Sequence, residues 1–450
     1  MKSVSKNLNS NISQQLFYLL VLVLFLRIDL VFENNTPTGG DMGAHIVAID
    51  TFIKDFMPNL QINGWSNDWF GGYPLYYFYF PLPAIITYIL NIVFSFGIAF
   101  KIMVVMSTIL VVYSIEKLMR KTSNQISIYG ATAGLFYVFT ESFTIYGGNL
   151  ASTLAGQFSF AYSLAFANLS IFYLIKSKNN FRFTISSIFL ALCLLSHLIP
   201  FIIYSPIYAF YWLSKKQNLN QRILSIFIFL ALASRWTASL LMNLEYTTNM
   251  SYTPFSRLDD LIKKDILPII FILIGLLIAK HKNLIKNKTL NLFDFYIVSS
   301  SILLYFYVPE GALWNGRLVP FFNLGIIFLF FKAVEIFIDD INLYQQGVNV
   351  LTGLFLGGTI YCLYIFYEKW STNQSYLNLY IPIIFLIIIY AILNLKNVVV
   401  QLNLLIISII FSIFCSFYSF IVILHHINYY IFVKIIYMIK TKKILPKTKL

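Results

Sequence analysis

Long apolar stretches dominate the chain. Runs of roughly 15 to 25 apolar residues recur from residue 16 to residue 440, with short polar segments between them. A helical run of this length spans the hydrocarbon core of a membrane, and a backbone in lipid must satisfy its hydrogen bonds within its own segment. The pattern therefore predicts an all-α polytopic membrane protein.

Composition supports this class and excludes a soluble one. The chain is 59% hydrophobic and 11% charged, whereas a typical soluble domain has about 25% charged residues. The net charge of +14 comes mostly from clusters of Lys and Arg at the ends of apolar runs, which is typical of cytoplasmic loops rather than of a nucleic-acid surface. The three cysteines show no paired spacing, so neither a disulfide framework nor a zinc site is indicated.

The basic clusters also predict a topology. With Met1 inside, the run 16–32 crosses outward, and the run 98–116 returns to the inner cluster at 117–121. The intervening run, Tyr76–Phe96, then cannot be an ordinary crossing, and its aromatic, proline-rich start suits an interfacial helix or a re-entrant hairpin. The alternative is an ordinary span with one cluster that violates the charge rule.

The later apolar runs bring the total to roughly fourteen predicted spans. They lie near residues 126–143, 157–175, 183–196, 198–213, 222–244, 266–279, 292–308, 318–334, 347–366, 377–394, 398–424 and 427–440.

A polar segment, Glu33–Tyr73, interrupts the apolar pattern directly after the first run. It contains a single cation, Lys54, and five of the eighteen acidic residues, namely Glu33, Asp41, Asp50, Asp55 and Asp68. Long loops without extended secondary structure are uncommon in compact proteins unless they carry a function. We therefore expect the functional site in this outward-facing loop.

The first candidate is the sequence Thr38–His45, in which two glycines precede Asp41. Asp41 opens a predicted helix that ends at Pro58, and His45, four residues later, shares its face. A carboxylate beside a histidine at the membrane surface could deprotonate an acceptor hydroxyl or hold a divalent cation. The structural alternative is that Asp41 only caps the helix.

Two further segments have aromatic or amide side chains. In Gly64–Tyr73, Trp65 suits the lipid headgroup level, or it stacks on a sugar whose hydroxyls bond to Asp68. In Tyr146–Gly156, which contains Asn149, a glycine-rich outer loop either cradles a phosphate or allows tight packing.

Polar groups at the outer ends of later spans complete the candidates. His197 lies between two short spans, where it is either functional or bonded to a backbone carbonyl. Glu245 is the carboxylate of another outer loop. Arg317 lies at the mouth of a span on the outer side, where its guanidinium suits a phosphate, pairs with Glu310, or reaches lipid headgroups.

Six ordered motifs between residues 30 and 330 resemble a family of bacterial polytopic membrane proteins. The motifs are GGDMGAH, NGWSNDWFGGYPLYYFYFPLP, GGNLASTLAGQFSFAYSLA, LLSHLIP, LEYTTNM and LWNGRLVPFF. The family is labelled as related to pyruvoyl-tetrahydropterin synthase and is grouped with the GT-C glycosyltransferases. The sequence contains no zinc-binding histidine cluster, so pterin chemistry is not indicated.

The resemblance implies a GT-C-like fold and an enzyme that moves a sugar from a polyprenyl-phosphate carrier to a glycan, lipid or protein acceptor. This reaction would occur at the outer face of the cytoplasmic membrane. Residues 1–340 would be the catalytic core, with 33–97 as first outer loop, and residues 341–450 would be scaffold helices. Asp41 matches the family's essential acidic residue, with His45 beside it as the other catalytic candidate. The substrate-binding candidates are Trp65, Asp68, Asn149, His197, Glu245 and Arg317.

Two other functions remain open. A transporter or flippase of lipid-linked envelope precursors would need polar groups deep in the membrane. A catalytically silent scaffold for envelope assembly would need none of the outer side chains. No cofactor is required by the pattern, although the acidic loop leaves room for Mg²⁺ or Mn²⁺. The sugar, the acceptor and the stereochemical outcome are not determined by the sequence.

Overall fold

The computed structural model describes residues 26–69, 71–122, 128–140, 145–175, 180–248, 253–256, 258–262, 266, 269–270, 273, 292–308 and 313–339. Most of the predicted spans 16–32 and 266–279, and all of those beyond residue 340, lie outside the described residues. The number of spans and the boundary at residue 340 therefore stay predictions. The contacts discussed below lie within one compact unit, formed by Met1–Lys263 and Lys288–Lys332.

The described part of the chain is mostly helical, as the apolar pattern predicts. Its helices are α1 (Ile28–Val31), α2 (Met42–Thr51), α3 (Leu82–Asn91), α4 (Phe96–Thr122), α5 (Ile128–Phe139), α6 (Leu150–Ser152), α7 (Phe158–Ile175), α8 (Asn180–Ser196), α9 (Leu198–Ser214), α10 (Leu219–Met242), α11 (Leu258–Leu261), α12 (Leu292–Tyr307) and α13 (Val319–Asp339). Short π-helical turns occupy Phe52–Phe56 and Thr153–Gln157, and 3-10 turns occupy Met57–Asn59, Leu244–Tyr246 and Asn315–Leu318. Two antiparallel strands, β1 (Gly64–Ser66) and β2 (Tyr73–Leu75), pair Trp65 with Pro74.

Three stretches of the described chain have the length and composition of membrane spans. Among the described residues, Phe96–Met119, Leu150–Ile175 and Leu219–Met242 are long and apolar enough to cross a membrane. Helix α7 is central, because it packs against α4, α8 and α9 and nearly all its side chains are buried. Helix α10 instead exposes large apolar side chains such as Phe227 and Met242, a surface that suits lipid.

The run Tyr76–Phe96 does not form a full crossing. Its helix, α3, has ten residues and is about 15 Å long, half the thickness of the hydrocarbon core. The aromatic residues before it form turns, in which Tyr76 and Phe80 are buried. The length agrees with the prediction that this run is interfacial or re-entrant rather than an ordinary span.

Two anchors hold the first loop against the helices. At its beginning, the buried Lys101 of α4 donates to the carbonyl oxygens of Leu30 and Glu33 at 2.7 and 2.6 Å, and to Asn35 Oδ1 at 2.8 Å. Three acceptors satisfy the three donors of an ammonium group. The lysine therefore ties the start of the loop to α4.

The second anchor is on α10. Trp236 is fully buried, and its Nε1 donates to the carbonyl oxygens of Tyr79 at 3.0 Å and Tyr76 at 3.2 Å. Arg235 donates to Leu60 O at 2.9 Å. The loop is thus held from both sides, which allows it to present side chains in fixed positions.

One buried ion pair lies away from the loop. Lys332 of α13 contacts the carboxylate of Asp294 near the start of α12, and both side chains are at most 1% exposed. Most charges of the sequence lie at span ends, so this pair is an exception to that pattern. A buried pair of this kind is costly to leave half-formed.

Candidate functional site

The candidate site forms where the first loop meets the start of α7. The π-helical turn Thr153–Gln157 ends the short helix α6, and inside it Gly156 adopts φ +107°. This break frees Ala155 O to accept the backbone N–H of Asp41 at 2.9 Å. A Cβ atom on Gly40 would lie 2.4 Å from Ala155 O, so this close approach requires glycine.

Asp41 precedes α2, as the sequence predicts, but its side chain makes no capping hydrogen bond. Its Oδ2 instead accepts a hydrogen bond of 3.3 Å from Gln157 Nε2. Asp41 is an exposed residue. A helix cap would direct this carboxylate at the amides of the first turn, so the geometry argues against capping as the sole role of Asp41.

Arg317 approaches the same glutamine from the opposite side. It lies in the 3-10 turn before α13, and its Nη1 donates to Gln157 Oε1 at 2.8 Å. The same nitrogen lies 3.1 and 3.2 Å from the carbonyl oxygens of Ile145 and Tyr146. These acceptors hold a cation beside the glycine-rich loop.

Asp41, Gln157 and Arg317 therefore form a continuous chain of hydrogen bonds, which we call the amide bridge. The bridge brings together two residues that the sequence analysis selected. Gln157 was missed, because its contacts reach 116 and 160 residues along the chain. The one local signal was a polar residue directly after a glycine at the start of an apolar run.

His45 lies beside the amide bridge. Its ring centre is 4.8 Å from that of Phe158 and 5.4 Å from that of Tyr79. Burial lowers the pKa of His45 to about 4, although the charge of Asp41 and a hydrogen bond with the Gly156 backbone oppose the shift. The imidazole is thus neutral at pH 7, and it can orient neighbours without adding positive charge.

Tyr79 is a second residue that the sequence analysis missed. Burial raises the pKa of its hydroxyl to about 12; the charge of Arg317 opposes this rise and the charge of Asp41 adds to it. The charges at both ends of the amide bridge therefore shift the pKa of the Tyr79 hydroxyl, in opposite directions. Its position in an aromatic run made it look like one more interfacial side chain.

His197 lies at the connection between α8 and α9. Its Nδ1 accepts the backbone N–H of Ile199 at 3.2 Å, and its ring stacks on Phe80 with centres 4.5 Å apart. Burial and, to a smaller extent, the charge of Arg317 lower its pKa to about 3. Since Nδ1 accepts, the proton of the neutral ring is on Nε2.

The β-hairpin residues have other partners. Asp68 accepts hydrogen bonds from the hydroxyls of Thr51 and Ser66, which lower the pKa of its carboxyl group. These bonds tie the hairpin to the end of α2. Trp65 is 62% exposed, and its indole covers Gly72 so closely that a Cβ there would overlap the ring. Neither residue contacts the amide bridge, and their roles as sugar-binding residues stay predictions.

Asn149 and Glu245 are also outside the amide bridge. Asn149 is fully buried; its Oδ1 accepts the N–H of Ser152 at 2.8 Å and its amide donates to Thr140 O. Its side chain is thus engaged in capping α6. Glu245 is exposed on the turn after α10. A direct substrate contact by either residue is an untested prediction.

The glycine-rich loop before α6 favours the tight-packing interpretation. Gly147 and Gly148 have φ values of +115° and +86°, and a Cβ on them would overlap Phe160 and the Tyr137 hydroxyl, respectively.

For metal ions, no group of three or more His, Cys, Asp or Glu side chains comes together in the described ranges.

We expect Gly156→Ala to destabilise the protein. The added Cβ would lie 2.9 Å from Asp41 Cβ, on a backbone with φ +107° that non-glycine residues rarely adopt. Strain of this kind costs roughly 1 to 3 kcal/mol, so the unfolding temperature in detergent should fall. Gly43→Ala is the matched control, because a Cβ there meets nothing within 4 Å. Equal unfolding temperatures for the two variants would contradict the close contact.

Acid should destabilise the protein through His45. Its pKa is about 4 in the folded chain and 6.5 without its surroundings, so between these values the unfolded state binds more protons. Stability is therefore full above pH 6.5 and falls as the pH drops towards 4. We expect the unfolding temperature to follow this decline, and His45→Gln to flatten it. An unchanged pH profile in His45→Gln would contradict the burial of the imidazole.

Comparison with known proteins identifies the fold. No family model and no curated protein matches the sequence. The structure resembles the crystal structure of ArnT from Cupriavidus metallidurans in the apo state, with a TM-score of 0.51, 12% identity, and coverage of 93% of this chain and 78% of that chain. For ArnT bound to undecaprenyl phosphate, the TM-score is 0.52 and the identity 11%, with coverage of 92% and 75%.

The first conclusion from these findings concerns the class. Together with three described helices that are long and apolar enough to cross a membrane, the ArnT-like fold supports the class of integral membrane proteins. The described helices and the turns between them therefore have an ArnT-like fold, which is compatible with the fold that the resemblance implied. The label that refers to pyruvoyl-tetrahydropterin synthase is not confirmed by these matches.

Proposed function

We propose that the chain is a glycosyltransferase that moves a sugar from a polyprenyl-phosphate carrier to an acceptor at the outer face of the cytoplasmic membrane. The observation that carries the proposal is the amide bridge, in which one glutamine separates the Asp41 carboxylate from the Arg317 guanidinium. A proton acceptor and an anion-binding group at this spacing are the two parts that such a transfer needs.

In the proposed reaction, the acceptor hydroxyl attacks the anomeric carbon of the bound sugar. Asp41 accepts the hydroxyl proton as the new carbon–oxygen bond forms. The bond between the anomeric carbon and the phosphate oxygen breaks, and the polyprenyl phosphate leaves with its electron pair. Arg317 stabilises the charge that develops on this leaving group.

Neutral aromatic and imidazole groups complete the proposed site. His45 and Tyr79 pack against each other beside Asp41. His197 directs Nδ1 to a backbone N–H and can therefore donate from Nε2 to a phosphate oxygen. The undecaprenyl phosphate bound by ArnT supports a carrier of the same class. A divalent cation is not required by this scheme.

Transport of a lipid-linked precursor is the second candidate. The buried pair of Asp294 and Lys332 favours it, because charges at membrane depth are often part of a transport path. The amide bridge favours the transferase, because the topology predicted from the basic clusters places it at the outer face. The two functions differ in whether the bond between sugar and phosphate is broken.

Proteoliposomes loaded with labelled polyprenyl-phosphate sugars separate these functions. Mass spectrometry would follow the release of free polyprenyl phosphate in the presence of envelope extract, and a membrane-impermeant reagent would follow movement of the intact carrier across the bilayer. A transferase releases polyprenyl phosphate. Movement of intact carrier without release, lost in Asp294→Asn, would instead establish transport.

A further inference from the structure

The side chain of Gln157 lies between a charged hydrogen-bond donor, Arg317, and a charged hydrogen-bond acceptor, Asp41. A guanidinium only donates hydrogen bonds and a carboxylate only accepts them. The side-chain amide therefore has one favourable orientation, with Oε1 towards Arg317 at 2.8 Å and Nε2 towards Asp41 at 3.3 Å. The two charges thus fix the amide, and the amide fixes the carboxylate.

The backbone conformation of the turn Thr153–Gln157 places Gln157 between the two charged residues. It is the last residue of the π-helical turn and follows Gly156, whose φ of +107° redirects the chain into α7. The turn also brings Ala155 O to the N–H of Asp41. The turn that ends at Gln157 is therefore linked to Asp41 twice, by a backbone hydrogen bond to Ala155 O and by the side chain of Gln157.

Gln157 is the residue between Arg317 and Asp41 in this chain of hydrogen bonds. An arginine and a carboxylate that meet directly form a bidentate ion pair, which occupies the oxygens of the carboxylate and the donors of the guanidinium. Such a pair would remove the base and the phosphate-binding group together. A neutral amide between them keeps both functions and satisfies one bond of each.

We propose that Gln157 is a positioning residue, which orients the Asp41 carboxylate and keeps it from pairing with Arg317. This inference rests on the proposed function and adds a third group to its site. Gln157 acts through Asp41 rather than on the substrate, so the loss of its hydrogen bonds, with a side chain still between the two charges, should affect turnover more than carrier binding. Arg317 retains the carbonyl oxygens of Ile145 and Tyr146 when the glutamine is removed.

The test measures kcat for sugar transfer and, separately, the Kd for undecaprenyl phosphate in nanodiscs. Gln157→Met removes both hydrogen bonds but keeps a side chain of similar length between Asp41 and Arg317, so that the two charges stay apart. We expect kcat to fall about ten- to hundredfold, the effect of a lost hydrogen bond to a charged group, while Kd changes by less than about threefold. Gln61→Met is the matched control, because Gln61 is exposed elsewhere in the first loop.

A second variant tests the other end of the bridge. Gln157→Glu adds a carboxylate that competes with phosphate for Arg317, so we expect Kd to rise about tenfold or more. A purely structural role would instead lower kcat, carrier binding and the unfolding temperature together in both variants.

The outcomes distinguish the two proposals. Full turnover by Gln157→Met, in a wild type that transfers sugar, would overturn the positioning role alone. Equal losses of turnover and binding, accompanied by a lower unfolding temperature, would also overturn it. A wild-type protein that binds the carrier but never breaks the sugar–phosphate bond would overturn the proposed function, and the role of Gln157 with it.

Discussion

Asp41→Asn is expected to lower kcat for sugar transfer by about 10²- to 10⁴-fold, the usual contribution of general acid–base catalysis. The amide has the size of the carboxylate but cannot accept the proton of the acceptor hydroxyl. Carrier binding should be nearly unchanged, because the proposed anion-binding group is Arg317 at the other end of the amide bridge. Initial rates and the Kd for undecaprenyl phosphate, measured on the same preparation, check both parts.

The control for this variant is Asp50→Asn. Asp50 is in α2, the helix that Asp41 precedes, and its carboxylate pairs with Lys54 at 2.7 Å. Asparagine is accepted at a helix start, and the Asp41 side chain makes no capping bond that the change would remove. A lower rate in Asp41→Asn therefore cannot be attributed to loss of the helix. Full activity in this variant would show that Asp41 is not the base.

Arg317→Gln is expected to weaken binding of undecaprenyl phosphate by about ten- to hundredfold, because hydrogen bonds to charged groups contribute roughly 1.5 to 3 kcal/mol. Arg317→Lys should recover part of the affinity, since the charge remains but the planar pair of donors is lost. Binding assays in nanodiscs at two salt concentrations check this result, because attraction between charges weakens as salt is added.

Arg222→Gln is the matched control for the charge. Arg222 is near the start of α10. It donates to the carbonyl oxygen of Lys215 at 2.8 Å, and its guanidinium lies over the Trp212 ring. Its loss should leave carrier affinity unchanged. Unfolding temperatures are needed for Arg317→Gln, because the arginine also holds two backbone carbonyls. Unchanged affinity in a stable Arg317→Gln protein would remove Arg317 from the phosphate site.

The sequence predicted the helical class of the fold, and it selected the two residues that the structure places at the ends of the amide bridge. Apolar run lengths predicted a helical membrane protein, and charge bias predicted that Tyr76–Phe96 is not an ordinary span. Asp41 follows two glycines in an acidic loop within an otherwise apolar chain. Arg317 is a cation at the predicted outer end of a span, where cations are less common. These signals are local in the chain, so a single sequence reveals them.

The partners of these residues were not predictable in the same way. Gln157 and Tyr79 belong to the site through contacts across the fold, and no local pattern distinguishes them from other polar and aromatic residues near a membrane surface. Asn149 is a different case. Its amide in a glycine-rich loop suggested ligand binding, which stays a prediction, and the structure adds that its Oδ1 accepts a hydrogen bond from Ser152 N at the start of α6. Residue type alone does not separate a cap from a ligand-binding side chain.

The most direct test of the account is a cryo-electron microscopy structure of Asp41→Asn in nanodiscs with a polyprenyl-phosphate sugar, which the inactive variant should leave intact. We expect a phosphate oxygen at about 2.7 to 3.2 Å from the Arg317 guanidinium. The anomeric carbon of the sugar should lie between that phosphate and residue 41. A phosphate bound away from Arg317, or a sugar on the side remote from residue 41, would contradict the claim that the amide bridge joins the two ends of one transfer site.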